Sequence, residues 1–153
     1  MKNRKKLVIV NRGSTNRGKS HSITEAYKQL FDLSDQKNDK MEMEYENDVV
    51  QKELTIEGYR VIFQSWGDPY VLGDITEYAK ENAKAGYDIV VTASRSYGNT
   101  VDLLYEAFGD DYEFIFVSND QSDNEDLRCV LNKAFGGHIV KLIMMYVHKE
   151  LLP

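Results

Sequence analysis

The sequence predicts an α/β domain in three layers: a mostly parallel sheet with one antiparallel hairpin strand, and helices on both faces. Three observations lead there. Short apolar runs rich in β-branched residues, such as Leu7-Val8-Ile9-Val10 and Ile89-Val90-Val91, read as strands covered on both sides. Stretches with apolar residues at helical spacing alternate with these runs along the chain. Two alternating segments also meet at Glu57-Gly58, a hairpin signal. The length of 153 residues suits one domain over 1–153, with no repeat, linker or low-complexity segment.

The elements follow in order. Leu7 to Val10 is the first strand, and a polar, glycine-bearing loop runs from Asn11 to Lys19. Ser20 to Asp32 is helical, with Ile23, Ala26, Tyr27, Leu30 and Phe31 on one side. Ser34 to Lys40 has no apolar residue and reads as an exposed loop. Met41 to Tyr45 alternates apolar residues with Glu, as a half-buried strand would. Val49 to Ile56 and Tyr59 to Phe63 form the hairpin, which breaks at Gln64-Ser65-Trp66-Gly67-Asp68-Pro69. Leu72 to Gly86 is a helix, Asp88 to Ala93 a buried strand, and Ser94 to Asn99 its exit loop. Thr100 to Phe108 is a helix and Tyr112 to Val117 a strand. Asn124 to Phe135 is helical, Gly136-Gly137 interrupts it, and Ile139 to Leu152 forms a last helix. A buried strand across Ile139 to Val147 is the alternative for that segment.

Composition narrows the function classes. No apolar run approaches the ~18 residues needed to span a bilayer, and the N-terminal apolar stretch is too short for a secretory signal. Cys129 is the sole cysteine, so a reducing cytoplasm is the expected home. A net charge of -6 speaks against a nucleic-acid partner. Lys2, Arg4, Lys5 and Lys6 form one basic cluster, expected to be a solvated, frayed terminus. His21, His138 and His148 have no metal-ligand spacing among themselves or with Cys129.

One segment carries chemistry. Gly13-Ser14-Thr15-Asn16-Arg17-Gly18-Lys19-Ser20 satisfies G-x-x-x-x-G-K-[ST] at every position. A chance match in a chain of this length is expected on the order of one percent of the time or less. The setting adds to it, because a buried-type strand enters the loop and an amphipathic helix leaves it. Glycines at both ends allow close backbone approach, so that successive N–H groups form a nest for an anion. A helix starting near Gly18 adds its positive dipole end and unpaired amides, with the amide of His21 next in line.

In these residues the sequence resembles the P-loop (Walker A) nucleotide-binding superfamily, clearly over Leu7 to Phe31 and in outline beyond. The resemblance implies a three-layer P-loop NTPase fold that binds a nucleoside triphosphate with Mg2+. Gly13 to His21 would then hold the phosphates, Lys19 would reach the β- and γ-phosphates, and Ser20 would ligate magnesium. The superfamily also needs an acid at the end of a neighbouring strand. Asp68, just beyond Val61-Ile62-Phe63, is the candidate, with a simple turn or helix cap as the alternative role.

The antiparallel pair leading to Asp68 resembles the small GTPase branch, yet the guanine signature [NT]-K-x-D is absent and the strand from Tyr112 exits into Ser118-Asn119-Asp120-Gln121. ATP is therefore expected over GTP. The implied activity is a Mg-dependent ATPase or nucleotide-dependent switch. A small phosphotransferase, in which the Arg95 loop grips an acceptor, and a binding module without turnover are the rivals. Arg128 could serve as a lid arginine of a small kinase, or in a surface ion pair. Trp66 could pack over nucleotide or in the core. The apolar residues from Ile139 to Val147 exceed what one helix on a sheet buries, which implies either a homodimer through this segment or a monomer that holds it in a deep groove or as a buried strand.

Overall fold

The computed structural model describes residues 4–13, 19–40, 51–64, 80–95, 100–118 and 122–153. Five strands and four helices are found among them. The strands are β1 (Lys6–Gly13), β2 (Gln51–Ile56), β3 (Tyr59–Gln64), β4 (Ile89–Arg95) and β5 (Tyr112–Val117). The helices are α1 (Lys19–Phe31), α2 (described over 80–85), α3 (Thr100–Phe108) and α4 (Glu125–Val147), with a 3-10 turn at Gly109–Asp111. The strand order is β2-β3-β4-β1-β5, and every pairing is parallel except β2 with β3. The chain is thus α/β, as its alternating pattern implies. Among the described residues no helix is long and apolar enough to cross a membrane. The expected strand at Met41 to Tyr45 lies outside the described residues.

Alternation along β1 divides the core in two. Leu7 and Ile9 join Ile23, Ala26, Leu30, Ile139 and Ile143 beneath α1 and α4. Val8 and Val10 join Val90, Leu104 and Phe108 on the other face, where α3 and Ala83 of α2 pack. The hairpin turn forms at Glu57-Gly58, both at positive φ (47° and 85°), which glycine tolerates and Glu57 accepts at some cost. Asp35 carboxylate oxygens accept from the Glu57 and Gly58 amides, and the Asp35 amide donates to the Thr55 carbonyl at 2.8 Å. The loop expected to be exposed after α1 is so over most of its length, but Ser34 is buried and the loop is fastened to the hairpin.

Two expectations need correction. First, Gly136-Gly137 does not interrupt the last helix, and residues 139–147 are not a strand: α4 is continuous. Asn124 caps its start by accepting from the Leu127 amide at 3.0 Å, and Glu125 and Asp126 favour the positive dipole end. Gly136 is where α4 meets α1. A Cβ there would stand 2.8 Å from Glu25 Cβ and 2.9 Å from the Ala26 nitrogen. The absence of a side chain allows the close approach, and the packing gained outweighs glycine's poor helix propensity. Ile139, Val140, Ile143, Tyr146 and Val147 are buried, and Leu142 and Met144 pack against the same core. Much of the apolar surface that suggested a contact between two copies is covered within the chain.

Second, the basic cluster is not a frayed end over its described residues. Arg4 is a latch between the segment entering β1 and the segment leaving α4. Its guanidinium donates to the Leu152 carbonyl (2.6 Å), the Leu151 carbonyl (2.9 Å), the Tyr146 carbonyl and the Tyr59 hydroxyl (3.0 Å). It also lies 3.8 Å from the Tyr146 ring centroid, a cation–π contact. Lys5 pairs with Glu113 at 3.1 Å, and Lys6 Nζ stands 5.7 Å from the Tyr112 ring centroid.

Candidate functional site

β1 extends three residues beyond the apolar run that marks it in sequence and ends at Gly13; α1 opens at Lys19. Residues 14–18 and the side chains of residues 19–21 lie outside the described residues, as do residues 65–79 with Trp66 and Asp68. The strand-to-helix bracket that a phosphate loop requires stands at the carboxyl edge of the sheet, where open α/β sheets bind ligands.

The register shows what adjoins this loop. On one side β1 pairs with β4 as far as Arg12↔Ser94 and Gly13↔Arg95. On the other it pairs with β5 as far as Asn11↔Val117. Arg95 thus sits beside the first glycine of the motif. Arg12 is exposed, its guanidinium 5.7 Å from the Phe116 ring centroid, and its carbonyl accepts from the Ser118 hydroxyl at 3.0 Å. The strand carrying the chain to Asp68 is not the neighbour of β1, because β4 lies between β1 and β3. The expectation that the strand before Asp68 neighbours β1 is corrected here, while the antiparallel pair that suggested the small GTPase outline is present as β2 and β3. A parallel strand formed later in the chain has taken the position beside β1.

Two buried polar features mark this end of the sheet. Asn11 is 0% exposed, and among the described residues neither its amide nitrogen nor its amide oxygen has a hydrogen-bond partner. By alternation it shares the face of Leu7 and Ile9, which α1 covers, two positions before Gly13. Leaving such an amide unpaired costs about 1–3 kcal/mol. On the opposite face, Asn82, Gln64 and Thr92 form a hydrogen-bonded chain across α2, β3 and β4. Sequence reasoning passed over these four residues, yet a signal was there. Each is a polar residue at or near the carboxyl end of an apolar strand, or on the buried side of a helix, where an aliphatic residue would bury more favourably.

A hollow of about 350 Å³ opens at the same end, between β5 and α4, lined by Val117, Ser118, Leu131, Ala134, Phe135 and His138. A larger one, about 500 Å³, lies between α2 and α3 at the start of β5, with Lys80, Lys84, Phe108 and Tyr112 in its wall. It is at the far end of the sheet from Gly13, since Tyr112 pairs with Lys6. The displaced tyrosine pKa values also belong to residues away from Gly13. Burial pushes Tyr112 up to about 12, helped by Asp88 and Asp111. Burial raises Tyr146 as well, against the lowering effect of Arg4.

Among the described residues no group of three or more His, Cys, Asp or Glu could hold a metal ion. Cys129 is exposed on α4, and His148 caps its end and lies 2.9 Å from Glu57. No family model, curated protein or solved structure matches the chain.

Proposed function

We propose that this chain is a cytoplasmic P-loop protein that binds a nucleoside triphosphate with magnesium at Gly13 to Ser20, in the three-layer P-loop NTPase fold. The observation that carries the reading is the bracket itself: a buried parallel strand ending on the first motif glycine, and a helix opening on the motif lysine. The buried amide of Asn11 at the foot of the loop, without a partner among the described residues, supports it, because a polar occupant suits a position where an apolar side chain would otherwise be better.

In this reading the loop amides and the first turn of α1 hold the phosphates, as an anion nest backed by a helix dipole. Lys19 brings its ammonium group to the β- and γ-phosphates. Ser20 would hold magnesium through its hydroxyl oxygen, and Asp68, which follows β3 with β4 between it and β1, would have to reach across to order the metal's water. Magnesium, when bound there, would supply neutralisation of the phosphate charge. With no guanine-reading signature in the chain, ATP is the preferred nucleotide. The activity is hydrolysis or switching. The pairing of Gly13 with Arg95 favours phosphotransfer as the second reading, since a cationic residue there can steady a transferring phosphoryl group.

Titration with ATP, GTP and their nonhydrolysable analogues, followed by phosphate-release measurements, tests the proposal. Lys19→Ala should weaken triphosphate binding by about 1.5–3 kcal/mol, the range for a lost charge-assisted hydrogen bond. Adenosine should bind both proteins equally poorly. Equal triphosphate affinity in the two proteins removes Lys19 from the site, and no triphosphate binding by the parent chain overturns the reading.

A further inference from the structure

Among the described residues the sheet has β2 and β5 as its outer strands. β2 is guarded by the loop that follows α1. The Asp35 amide donates to the Thr55 carbonyl at 2.8 Å, and the Thr55 amide donates to Gln36 Oε1 at 3.0 Å. Nothing of the kind lies along β5 among the described residues. Its register with β1 runs unbroken from Lys6↔Tyr112 to Asn11↔Val117, so no bulge twists this edge away. β5 holds no proline or lysine, and its one charge, Glu113, is paired with Lys5 at 3.1 Å. Phe114, Ile115, Phe116 and Val117 are only half-buried. Beside them on α3, Tyr105 is 47% exposed, its ring centroid 4.6 Å from that of Phe114 and 6.0 Å from that of Phe116. A row of backbone donors and acceptors flanked by apolar side chains is a template for one more strand.

We propose that β5 pairs antiparallel with β5 of a second copy of this chain, about a two-fold axis at Ile115, so that the two sheets continue into one. Charge selects this occupant and this direction. Arg12, one position past Asn11↔Val117, sets an exposed guanidinium at the end of β5. Asp110 and Asp111, also exposed, lie immediately before its start at Tyr112. None of the three makes an ion pair among the described residues. Lys5 and Lys6, near that start, are engaged with Glu113 and the Tyr112 ring. Antiparallel pairing of identical edges brings the cationic end of each strand to the acidic start of the other, and does so twice. Two strand spacings, about 9.6 Å, separate Arg12 from the facing strand, a gap that an arginine and an aspartate side chain close together. With Ile115 on the axis, Glu113 stands opposite Val117, so no two carboxylates meet. Phe114 stands opposite Phe116, and aromatic rings meet across the pair on the face that α3 covers.

The test is sedimentation of the full chain over a dilution series, with amide hydrogen exchange of β5 followed below and above the association midpoint. The parent should reach twice the mass of one chain at micromolar concentration, and exchange over residues 113–117 should slow on association. Arg12→Glu should raise the dimer dissociation constant about tenfold or more, because like charges then meet at both ends of the pair. Asp110→Lys/Asp111→Lys should do the same. Both changes are on exposed side chains, so the fold should survive them. Combining the two reversals should restore the parent constant, which damage to the fold would not do. A single-chain mass up to hundreds of micromolar overturns the inference. So does a dimer whose β5 amides exchange alike at both concentrations, which places the contact elsewhere. A combined variant that associates no better than Arg12→Glu overturns the antiparallel pairing.

Discussion

At the scale of single residues, the Tyr112 phenol shows how burial becomes a pH dependence. Its hydroxyl donates to the Tyr87 carbonyl at 2.7 Å, tying the start of β5 to the chain entering β4. Burial, with Asp88 and Asp111 adding negative charge, pushes its pKa from the ordinary 10 up to about 12. The folded value lies above the unfolded one, so the stability gained is complete below pH 10 and is lost as pH rises toward 12. Allowing for partial solvation of the phenol, about 1–2 kcal/mol should disappear across that window. Urea unfolding at pH 8 and pH 11 should show the loss in the parent chain and a smaller loss in Tyr112→Phe; equal losses would assign the alkaline weakness elsewhere. Arg4 teaches a different lesson about what a sequence shows. An arginine near the start of the sequence looks like any solvated charge, and its four acceptors lie on β3 and from Tyr146 to Leu152, outside any local pattern. Asn11 and Gln64 were more accessible to reasoning, because a polar residue closing an apolar run is visible in the string itself.

At the scale of elements, α4 and α1 form the main helix-to-helix contact, and Gly136 and Gly137 within it have opposite roles. A Cβ on Gly136 meets the α1 backbone, whereas one on Gly137 would come 3.3 Å from Gln29 Oε1, the movable end of a side chain. Gly136→Ala should therefore destabilise by about 1–3 kcal/mol, as overpacking does, despite its better helix propensity. Gly137→Ala should be neutral or stabilising by up to about 1 kcal/mol. Chemical denaturation of the two variants checks this, and equal effects would remove the close approach as the reason for the glycine. The same contact explains why the sequence suggests two helices where there is one. Propensity counts both glycines as breaks, and only the partner helix turns one of them into a contact. The other elements were legible because their signals are local: β-branched runs for β1 and β4, helical spacing for α1 and α3, and a turn between alternating segments for β2 and β3.

At the scale of the whole molecule, the strand order is the part the sequence leaves open. β3 and β4 are both short and buried, and either could lie beside β1 without changing a single local preference. The choice is made by which apolar faces fit under α1 and α4, a sum over many residues. The strand-to-helix bracket around the motif was legible and its neighbour was not, so the motif could be found while the strand leading toward Asp68 was misplaced. The Arg4 latch has a consequence for how the chain could be rewired. The Arg4 side chain reaches the Leu152 carbonyl, so residues 4 and 152 lie within an arginine's length of each other and the 153 residues could be closed into a ring with a short glycine–serine linker between Pro153 and Met1. It could then be reopened between Asp39 and Lys40, both exposed. Such a circular permutant keeps every strand pairing and both core clusters, and should melt cooperatively with the circular dichroism of the parent. A molten, non-cooperative permutant would mean that the order of synthesis, and not only the final contacts, selects this sheet.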